Sequence, residues 1–504
     1  MSAGLSRVLS LGRLTEQGVT AAALLAMGLL PVAELTLRTL FNTGIPGSSS
    51  YVQNLTLWVG FLGAIIAARA KQHLTFIPSL EFLPQIWQRI AAVFSATVSA
   101  AVAFGLAWAA LQFVHAELAA PVRIAGWLPI WIAQSVLPIS FMAVALRFIF
   151  QAGGRKARAI VAFALPASIL IGVALAPQAE NLLWPGLATL IVAGLLGAPI
   201  FVVLAGAALL LFFAAGTRVA SLPVETYRLV VSPSIPTIPL FTLTGLILAE
   251  GGASRRLLRL FRALFGWMRG GLPVVATLLC AFFTTFTGAS GVTILALGGL
   301  LLPMLLQSGY RERFSVGLLT ATGSIGILFP PSLPVILYGV SAHVPIPDLF
   351  KAGIVPGMLL VTTVCVFGVR EDLRSTVSRQ PFDRREAAAA LWESKWEILL
   401  PIITLVAIFG GFCSLAEAAA ITAVYALIVG TAIHRDLHVK RDLPRVLATC
   451  ATMMGGVFII LGSAMGLTNY MVDAQVPALA TAWVQEHIHS RFVFLLALNL
   501  SGSA

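Results

Sequence analysis

Charge is scarce in this chain. Of its 504 residues only 10% are Asp, Glu, Lys or Arg, against 59% hydrophobic, and the mean hydropathy is +0.95. That excludes a soluble protein of this length, which could not hide so much apolar surface, and makes lipid the solvent. Cysteine is almost absent as well. Cys280, Cys365, Cys413 and Cys450 all fall in apolar segments without CxxC or Cys/His spacing, so they read as small core residues rather than disulfides or metal ligands. No GxxxxGK[ST] phosphate loop occurs. Neither does HExxH, a pair of intramembrane acids, or a nucleophile with its base, so nothing supports an enzyme. The charge that is present is mostly basic, 32 Lys and Arg against 20 Asp and Glu, for a net +12. Nucleic acid would be one reading of that excess. Its clustering in short segments between apolar runs is instead the positive-inside pattern of cytoplasmic loops.

Apolar runs of roughly 20 residues mark spans. The first four are expected near 18–40, 51–68, 90–113 and 127–150. Arg7 and Arg13 place the N-terminus inside, and the long run after them reads as a retained first span rather than a removable leader. The loop FNTGIPGSSS carries no charge and lies outside; ARAKQH and GGRKAR lie inside. A fifth run, 159–176, leads outward to APQAEN. The apolar block 184–215 is interrupted by GAP at 197–199. The basic segment that follows, with Arg255, Arg256, Arg259, Arg262 and Arg269, must be inside, and only three spans between Pro185 and Glu250 put it there. The block is therefore split in two. That basic segment has Leu257, Leu260, Phe261, Leu264, Phe265 and Met268 at helical spacing, the pattern of an amphipathic arm in the membrane interface.

LPVVATLLCAFFTTFTGASGVTILALGGLLLPMLL comes next, between two basic flanks. Its halves, 272–286 and 292–306, are too short to cross roughly 30 Å of hydrocarbon. The segment is expected to enter and return on one side, a re-entrant hairpin with the tip at Thr287-Gly288-Ala289-Ser290-Gly291. The run 314–340 then breaks at Pro330-Pro331, because proline lacks the N–H and clashes with the preceding turn. A proline kink with only packing value is the competing reading of the break taken alone. Beside the hairpin tip, the break reads as exposed backbone dipoles near the midplane. Half-helix C-terminal carbonyls suit a cation there, and half-helix N-termini suit a carboxylate.

TGASGVTILALGGLLLP followed by TATGSIGILFPPSLPVILYG resembles the large membrane subunit of tripartite ATP-independent periplasmic (TRAP) transporters, whose pattern is an SGSS-like tip and a GxxxPPS-type break. Thr287 and Ala289 stand here in place of serines. PTIPLFTLTGLILAEGGASRRLLRLFRALFGWMRGGL and FCSLAEAAAITAVYALIVG, the latter with Glu417, resemble the same subunit. LRTLF at 37–41 and WVGFLGAIIAARAKQH at 58–73 resemble the small subunit, with Gln53 and Asn54 where many small subunits carry glutamates. The resemblance implies an all-α, inverted-repeat, elevator-type transporter of the bacterial inner membrane. It would be divided into a small-subunit-like domain 1–152, a linker with fusion helix 153–180 and a large-subunit-like domain 181–504. It further implies a sodium-driven importer with no cofactor beyond the coupling ion and no ATPase subunit. Its solutes, C4-dicarboxylates or other organic or sugar acids, would arrive on a periplasmic solute-binding protein. Carried over by position, Thr287 with carbonyls of Gly326, Phe329 and Pro331 forms a sodium site. Gly288, Ser290, Pro330 and Ser332 line the substrate cavity.

The first repeat is expected over about 181–369 and the second from about 395, with VPALATAWVQEHIHS at 476–490 as an outer arm. RFVFLLALNL should begin a second hairpin, but the sequence given stops at SGSA. These residues by themselves are therefore expected not to transport. A degenerate permease, or a sodium-coupled carrier that takes substrate directly, are the alternative functions. Of the remaining residues, Glu34 and Arg38 are spaced to pair along one helix, and Glu417 suits a helix N-terminus. His73, His434 and His438 are assigned to cytoplasmic loops. Trp58, Trp127, Trp131 and Trp267 suit interfacial anchoring.

Overall fold

A computed structural model describes residues 3–76, 84–119, 121–174, 179–373 and 381–502. It is helical nearly throughout. The first helices are α1 (Ala3–Phe41), α2 (Ser48–Ala70), α3 (Gln85–Ala119), α4 (Ile130–Gln134), α5 (Val136–Gln151) and α6 (Arg155–Ala174). The small hairpin β1 (Arg123–Ile124) and β2 (Leu128–Pro129) precedes α4. There follow α7 (Ala179–Leu195), α8 (Ile200–Ala214), α9 (Ser221–Val230), α10 (Thr237–Glu250), α11 (Ala253–Phe265), α12 (Gly271–Thr287), α13 (Ser290–Gln307) and α14 (Glu312–Thr322). After a 3-10 turn, Ile325–Leu328, come α15 (Leu333–Ala342), α16 (Ile346–Asp372), α17 (Arg384–Glu393), α18 (Lys395–Phe409), α19 (Leu415–Ile428), α20 (Leu443–Asp473), α21 (Val476–His487) and α22 (Arg491–Gly502). Among the described residues, eight helices are long and apolar enough to cross a membrane, and α14 and α15, bent by 43° at the break between them, pass the same test taken together. The protein is an all-α polytopic membrane protein.

The spans expected at 18–40, 51–68, 90–113 and 127–150 are α1, α2, α3 and α4–α5. The block 184–215 is split as the loop charges required, into α7 and α8, with Gly197 at φ +90° in the reversal. APQAEN, 176–181, falls largely outside the described residues, as do the side chains of Arg7 and Arg13.

The chain forms two compact units. The first comprises Met1–Ala70, Pro121–Val136 and Val230–Gly456. In it α1 packs on α2, α10 and α19, while α2 crosses α20 with no room for side chains. A Cβ on Gly63 would stand 1.9 Å from the Ala451 carbonyl oxygen, and one on Gly455 would stand 2.0 Å from the Ala64 nitrogen. Small residues let helix backbones meet in this way, where lipid gives no hydrophobic drive to associate. The arm α11 buries Leu257 and Leu260 and is held by its arginines. Arg256 lies 2.7 Å from both Glu397 and Asp436, and Arg259 pairs with Glu386 and Glu393. Burial alone would push the Asp436 carboxyl up, but hydrogen bonds from Arg256 and the Gly252 N–H hold it below the ordinary value.

The second unit comprises Lys71–Ala120, Leu137–Leu229 and Val457–Ala504. Here α3 packs on α6, α7 and α8. The strand-like stretch after α2 bridges Thr75 to Pro199, and the Ile200 N–H donates to the Leu74 carbonyl at 2.9 Å. That brings the His73 ring within 5.2 Å of Phe201 and 6.2 Å of Phe148.

Several sequence expectations are corrected. Glu34 and Arg38 do not pair with each other: Glu34 accepts the Ile45 N–H from the loop that folds back over α1, which leaves Arg38 to reach Glu417 at 2.9 Å. Met268 is not on the arm helix, which ends at Phe265 where Gly266 caps it. His73 and His434 lie outside the helices, as expected, yet both rings are enclosed by other residues. His73 is packed among aromatic rings, and His434 Nε2 faces Glu397 at 3.5 Å.

Candidate functional site

The hairpin and the broken helix meet at one place in the first unit. Helices α12 and α13 have 17 and 18 residues, roughly 25 Å each at about 1.5 Å per residue. They fold back on one another at Gly288 and Ala289. Gly288 closes α12 in the left-handed region, φ +64°, and a Cβ there would meet the Leu333 side chain at 2.2 Å. Both constraints demand glycine. Ser290 then opens α13, with no hydrogen-bond partner for its hydroxyl among the described residues.

The reversal brings threonines from both arms together. Thr287 Oγ1 lies 2.9 Å from Thr293 Oγ1, which lies 3.0 Å from Thr284 Oγ1. Thr284 in turn is 2.8 Å from the Cys280 carbonyl and 3.1 Å from the Gly323 carbonyl. Each hydroxyl has one proton to give. Thr284 is the donor, to the Cys280 carbonyl and toward Thr293, while Thr287 and Thr293 can each donate to the other. The Ala289 carbonyl lies 3.5 Å from both Thr287 and Thr293, too far for a normal bond. Where Thr287 is the donor of its bond to Thr293, its lone pairs stay open to a ligand. All three residues are fully buried.

The break is wider than two prolines suggest. Helix α14 ends at Thr322, ten residues before α15, because Gly323 and Gly326 lie directly on the hairpin. A Cβ on Gly326 would stand 2.4 Å from the Ala281 carbonyl oxygen, and one on Gly323 would stand 2.9 Å from Ile294. Phe329 and Ser332 are extended, Pro330-Pro331 is a cis peptide, and the Phe329 ring covers Gly357. The Gly326 carbonyl accepts from the Phe329 N–H at 3.1 Å and from the Thr285 hydroxyl at 3.3 Å. It is therefore not an idle acceptor, as the missing proline donors had suggested.

Of the four buried hydroxyls without a partner among the described residues, Ser99, Ser140, Thr242 and Ser332, the last two belong to the first unit. Buried threonines here usually donate to the carbonyl four residues back, as Thr244 does to Leu240 and Thr277 to Pro273. Thr242, on the fully buried α10, has no partner, and neither does Ser332 at the start of α15. Both flank the tip: Gly245, one turn beyond Thr242, would place a Cβ 2.7 Å from the Thr287 nitrogen, and Leu333 follows Ser332 onto Gly288. A buried hydroxyl without a partner costs free energy, about 1–3 kcal/mol, so such groups mark a place where something else binds.

The structure thus sets Gly288 against Leu333, next to Ser332, and Gly326 against the last turns of α12 below Thr287, with Phe329, Pro330 and Pro331 forming the extended link and Ser290 at the α13 N-terminus. Thr242, Thr284, Thr285 and Thr293 were not anticipated. Only the FFTTFTGASGVT spacing hinted at the last three. The donor set is hydroxyl and carbonyl oxygen, with no group of three His, Cys, Asp or Glu among the described residues that could hold a transition metal. The N-termini of α13 and α15 converge here beside the C-terminal ends of α12 and the 3-10 turn, so both signs of helix dipole are offered at one spot.

Comparison with known proteins agrees with this geometry. Residues 187–501 match the family described as "Tripartite ATP-independent periplasmic transporter, DctM component", and residues 27–158 match the DctQ component. The isethionate TRAP transporter permease protein DctMQ of Oleidesulfovibrio alaskensis is 29% identical over 459 residues, 88% of this chain and 71% of that protein. The C4-dicarboxylate TRAP transporter large permease protein DctM of Pseudomonas aeruginosa is 31% identical over 298 residues, 59% of this chain and 69% of that protein. The ectoine TRAP transporter large permease protein TeaC of Halomonas elongata is 29% identical over 296 residues, 58% of this chain and 69% of that protein. Hairpin, broken helix and both component matches in a single polypeptide lead to one conclusion: this chain belongs to the TRAP transporter permeases, with the small and large membrane components fused.

Proposed function

We propose that this permease imports carboxylate-bearing solutes, C4-dicarboxylates or other organic acids, in symport with sodium across the bacterial inner membrane, its N-terminus cytoplasmic. It takes them from a periplasmic solute-binding protein. The observation that carries the reading is the convergence of the buried Thr287 hydroxyl, unpartnered Ser332 and Thr242 hydroxyls, and two helix N-termini around the hairpin tip. Sodium is a hard cation that takes hydroxyl and carbonyl oxygen. Thr287 with carbonyls of Gly326, Phe329 and Pro331 is its proposed cage, reached by releasing the long Thr285 bond to Gly326. Gly288, Ser290, Pro330 and Ser332 are the proposed wall for substrate, whose carboxylate suits the α13 and α15 N-termini. No fixed acid stands in this cluster, so the ion and the anion complement each other: each lowers the cost of burying the other's charge. That mutual dependence is coupling in the thermodynamic sense. Hairpin and break moving together as one elevator-like body is the proposed transport step. Relatives are named for C4-dicarboxylates, isethionate and ectoine, and the DctQ-like part supports delivery by a binding protein over direct capture.

The test is uptake by proteoliposomes containing the intact gene product, with radiolabelled organic acids offered on the cognate binding protein. Uptake is expected only with an inward sodium gradient and the binding protein present. Equal uptake in potassium, or without the binding protein, contradicts the proposal.

A further inference from the structure

Against the arm helix α11 the first unit has a cavity of about 720 Å³, lined by residues of α11, by Trp267 and by the start of α17. Its walls carry Arg255, Arg259 and Arg262 at positions i, i+4 and i+7, one face of the helix. The arginines of this arm divide into two kinds. Arg256 and Arg259 are each committed to two carboxylates. Arg255 and Arg262 have no ion-pair partner among the described residues and are exposed into the cavity. Asp383 and Glu386 stand opposite, and Asp383 already caps α17 through the Arg385 N–H at 2.8 Å. Arg259 is already met by Glu386 and Glu393, which leaves the two unpaired arginines, Arg255 and Arg262, against the Asp383 carboxylate alone. The rest of the lining is apolar: Leu258, Ala263 and Trp267, whose ring meets Phe382 at 6.0 Å. An exposed tryptophan beside unpaired arginines on an amphipathic arm is the composition of a headgroup-level site.

We propose that this cavity binds the phosphodiester of an inner-leaflet phospholipid, with Arg255 and Arg262 as its two ligands and the Leu258–Ala263–Trp267 wall receiving the glycerol and proximal acyl carbons. Guanidinium forks match phosphate oxygens geometrically, and one phosphodiester carries the single negative charge that the walls leave uncompensated. The two carboxylates oppose a polyanion such as a nucleic acid or a multiply phosphorylated molecule. Basic pockets on the cytoplasmic side of membrane helices are where such headgroups bind. A lipid held there ties α11 to the cytoplasmic leaflet.

The test is native mass spectrometry of the purified gene product titrated with phosphatidylglycerol and, separately, with inorganic phosphate. Arg255→Gln/Arg262→Gln is expected to weaken phosphatidylglycerol binding roughly tenfold or more. Ala263→Trp, which fills the cavity while leaving both charges, should do the same. Arg269→Gln, a basic residue outside the cavity, should leave binding unchanged. All four positions are solvent-facing or half-buried, and monodisperse elution checks that the variants fold. Equal lipid binding by wild type and the double variant would overturn the proposal. So would displacement of bound lipid by millimolar inorganic phosphate, which would assign the site to a free anion.

Discussion

The Thr287 hydroxyl at the end of α12 lies 2.9 Å from the Thr293 hydroxyl one turn into α13. Six positions apart in sequence, the two face each other only because Gly288 reverses the chain between them. Thr293 is the middle link between the hydroxyls of Thr287 and Thr284. Thr293→Val keeps the shape and removes the link, so Thr284 and Thr287 lose a buried partner. The apparent unfolding midpoint should fall by the equivalent of about 1–3 kcal/mol, while Thr293→Ser stays near wild type. Equal midpoints for all three proteins would refute the network.

Gly326 lies where a side chain has no space. Its added Cβ would meet backbone, the Ala281 carbonyl oxygen at 2.4 Å, rather than a yielding side chain. Gly326→Ala should push the break off the hairpin and destabilise the protein by about 1–3 kcal/mol or more. Gly291→Ala, where nothing lies within 4 Å of the added carbon, should be tolerated. The comparison is read from yield and thermal stability in detergent.

Arg38 and Glu417 join the DctQ-like and DctM-like parts, yet they should not cost the same to remove. The Arg38 side chain is 52% exposed, so Arg38→Ala should cost less than about 1 kcal/mol. Glu417 also completes a capping box with Ser414 at the start of α19. Glu417→Ala therefore loses the cap as well, roughly a further 1 kcal/mol. The order Glu417→Ala, then Arg38→Ala, then wild type in thermal stability is the prediction; the reverse order for the two variants would count against it.

Much of this arrangement is legible in the sequence, and what is not has a common cause. Helix lengths, the split at GAP and the hairpin with its tip follow from hydrophobic run length and loop charge, which are local. The width of the break is not local. It is set by Gly323 and Gly326 lying on α12, some forty residues earlier. The partner of Arg38 is 379 residues away, and only the fold shows that Glu34 is already taken by Ile45. His434 belongs to a basic loop in sequence but faces a buried glutamate in space. That Thr242 leaves its hydroxyl unpartnered while Thr244, two positions on, donates to its own helix is not encoded by composition.

Burial among Phe148 and Phe201 pushes the His73 imidazole down to about 4 from an ordinary 6.5. Between these values the unfolded chain binds a proton that the folded one refuses. Stability is therefore unaffected by His73 above pH 6.5 and falls as pH drops from 6.5 toward 4, by about 3 kcal/mol in all. His73→Phe should remove that part of the acid sensitivity while matching wild type near pH 7.5. Parallel pH–stability curves for the two proteins would contradict the assignment.

Sodium binding to the purified gene product tests the central claim most directly, independently of uptake. Thermal stability is measured while sodium replaces potassium at constant ionic strength, for wild type and Thr287→Val. The account predicts a saturable sodium-specific rise, since a ligand that binds only the folded state stabilises it with the logarithm of its concentration. That rise should be lost or strongly weakened in Thr287→Val. No sodium-specific rise, or one that Thr287→Val leaves unchanged, would contradict a cation site at the hairpin tip.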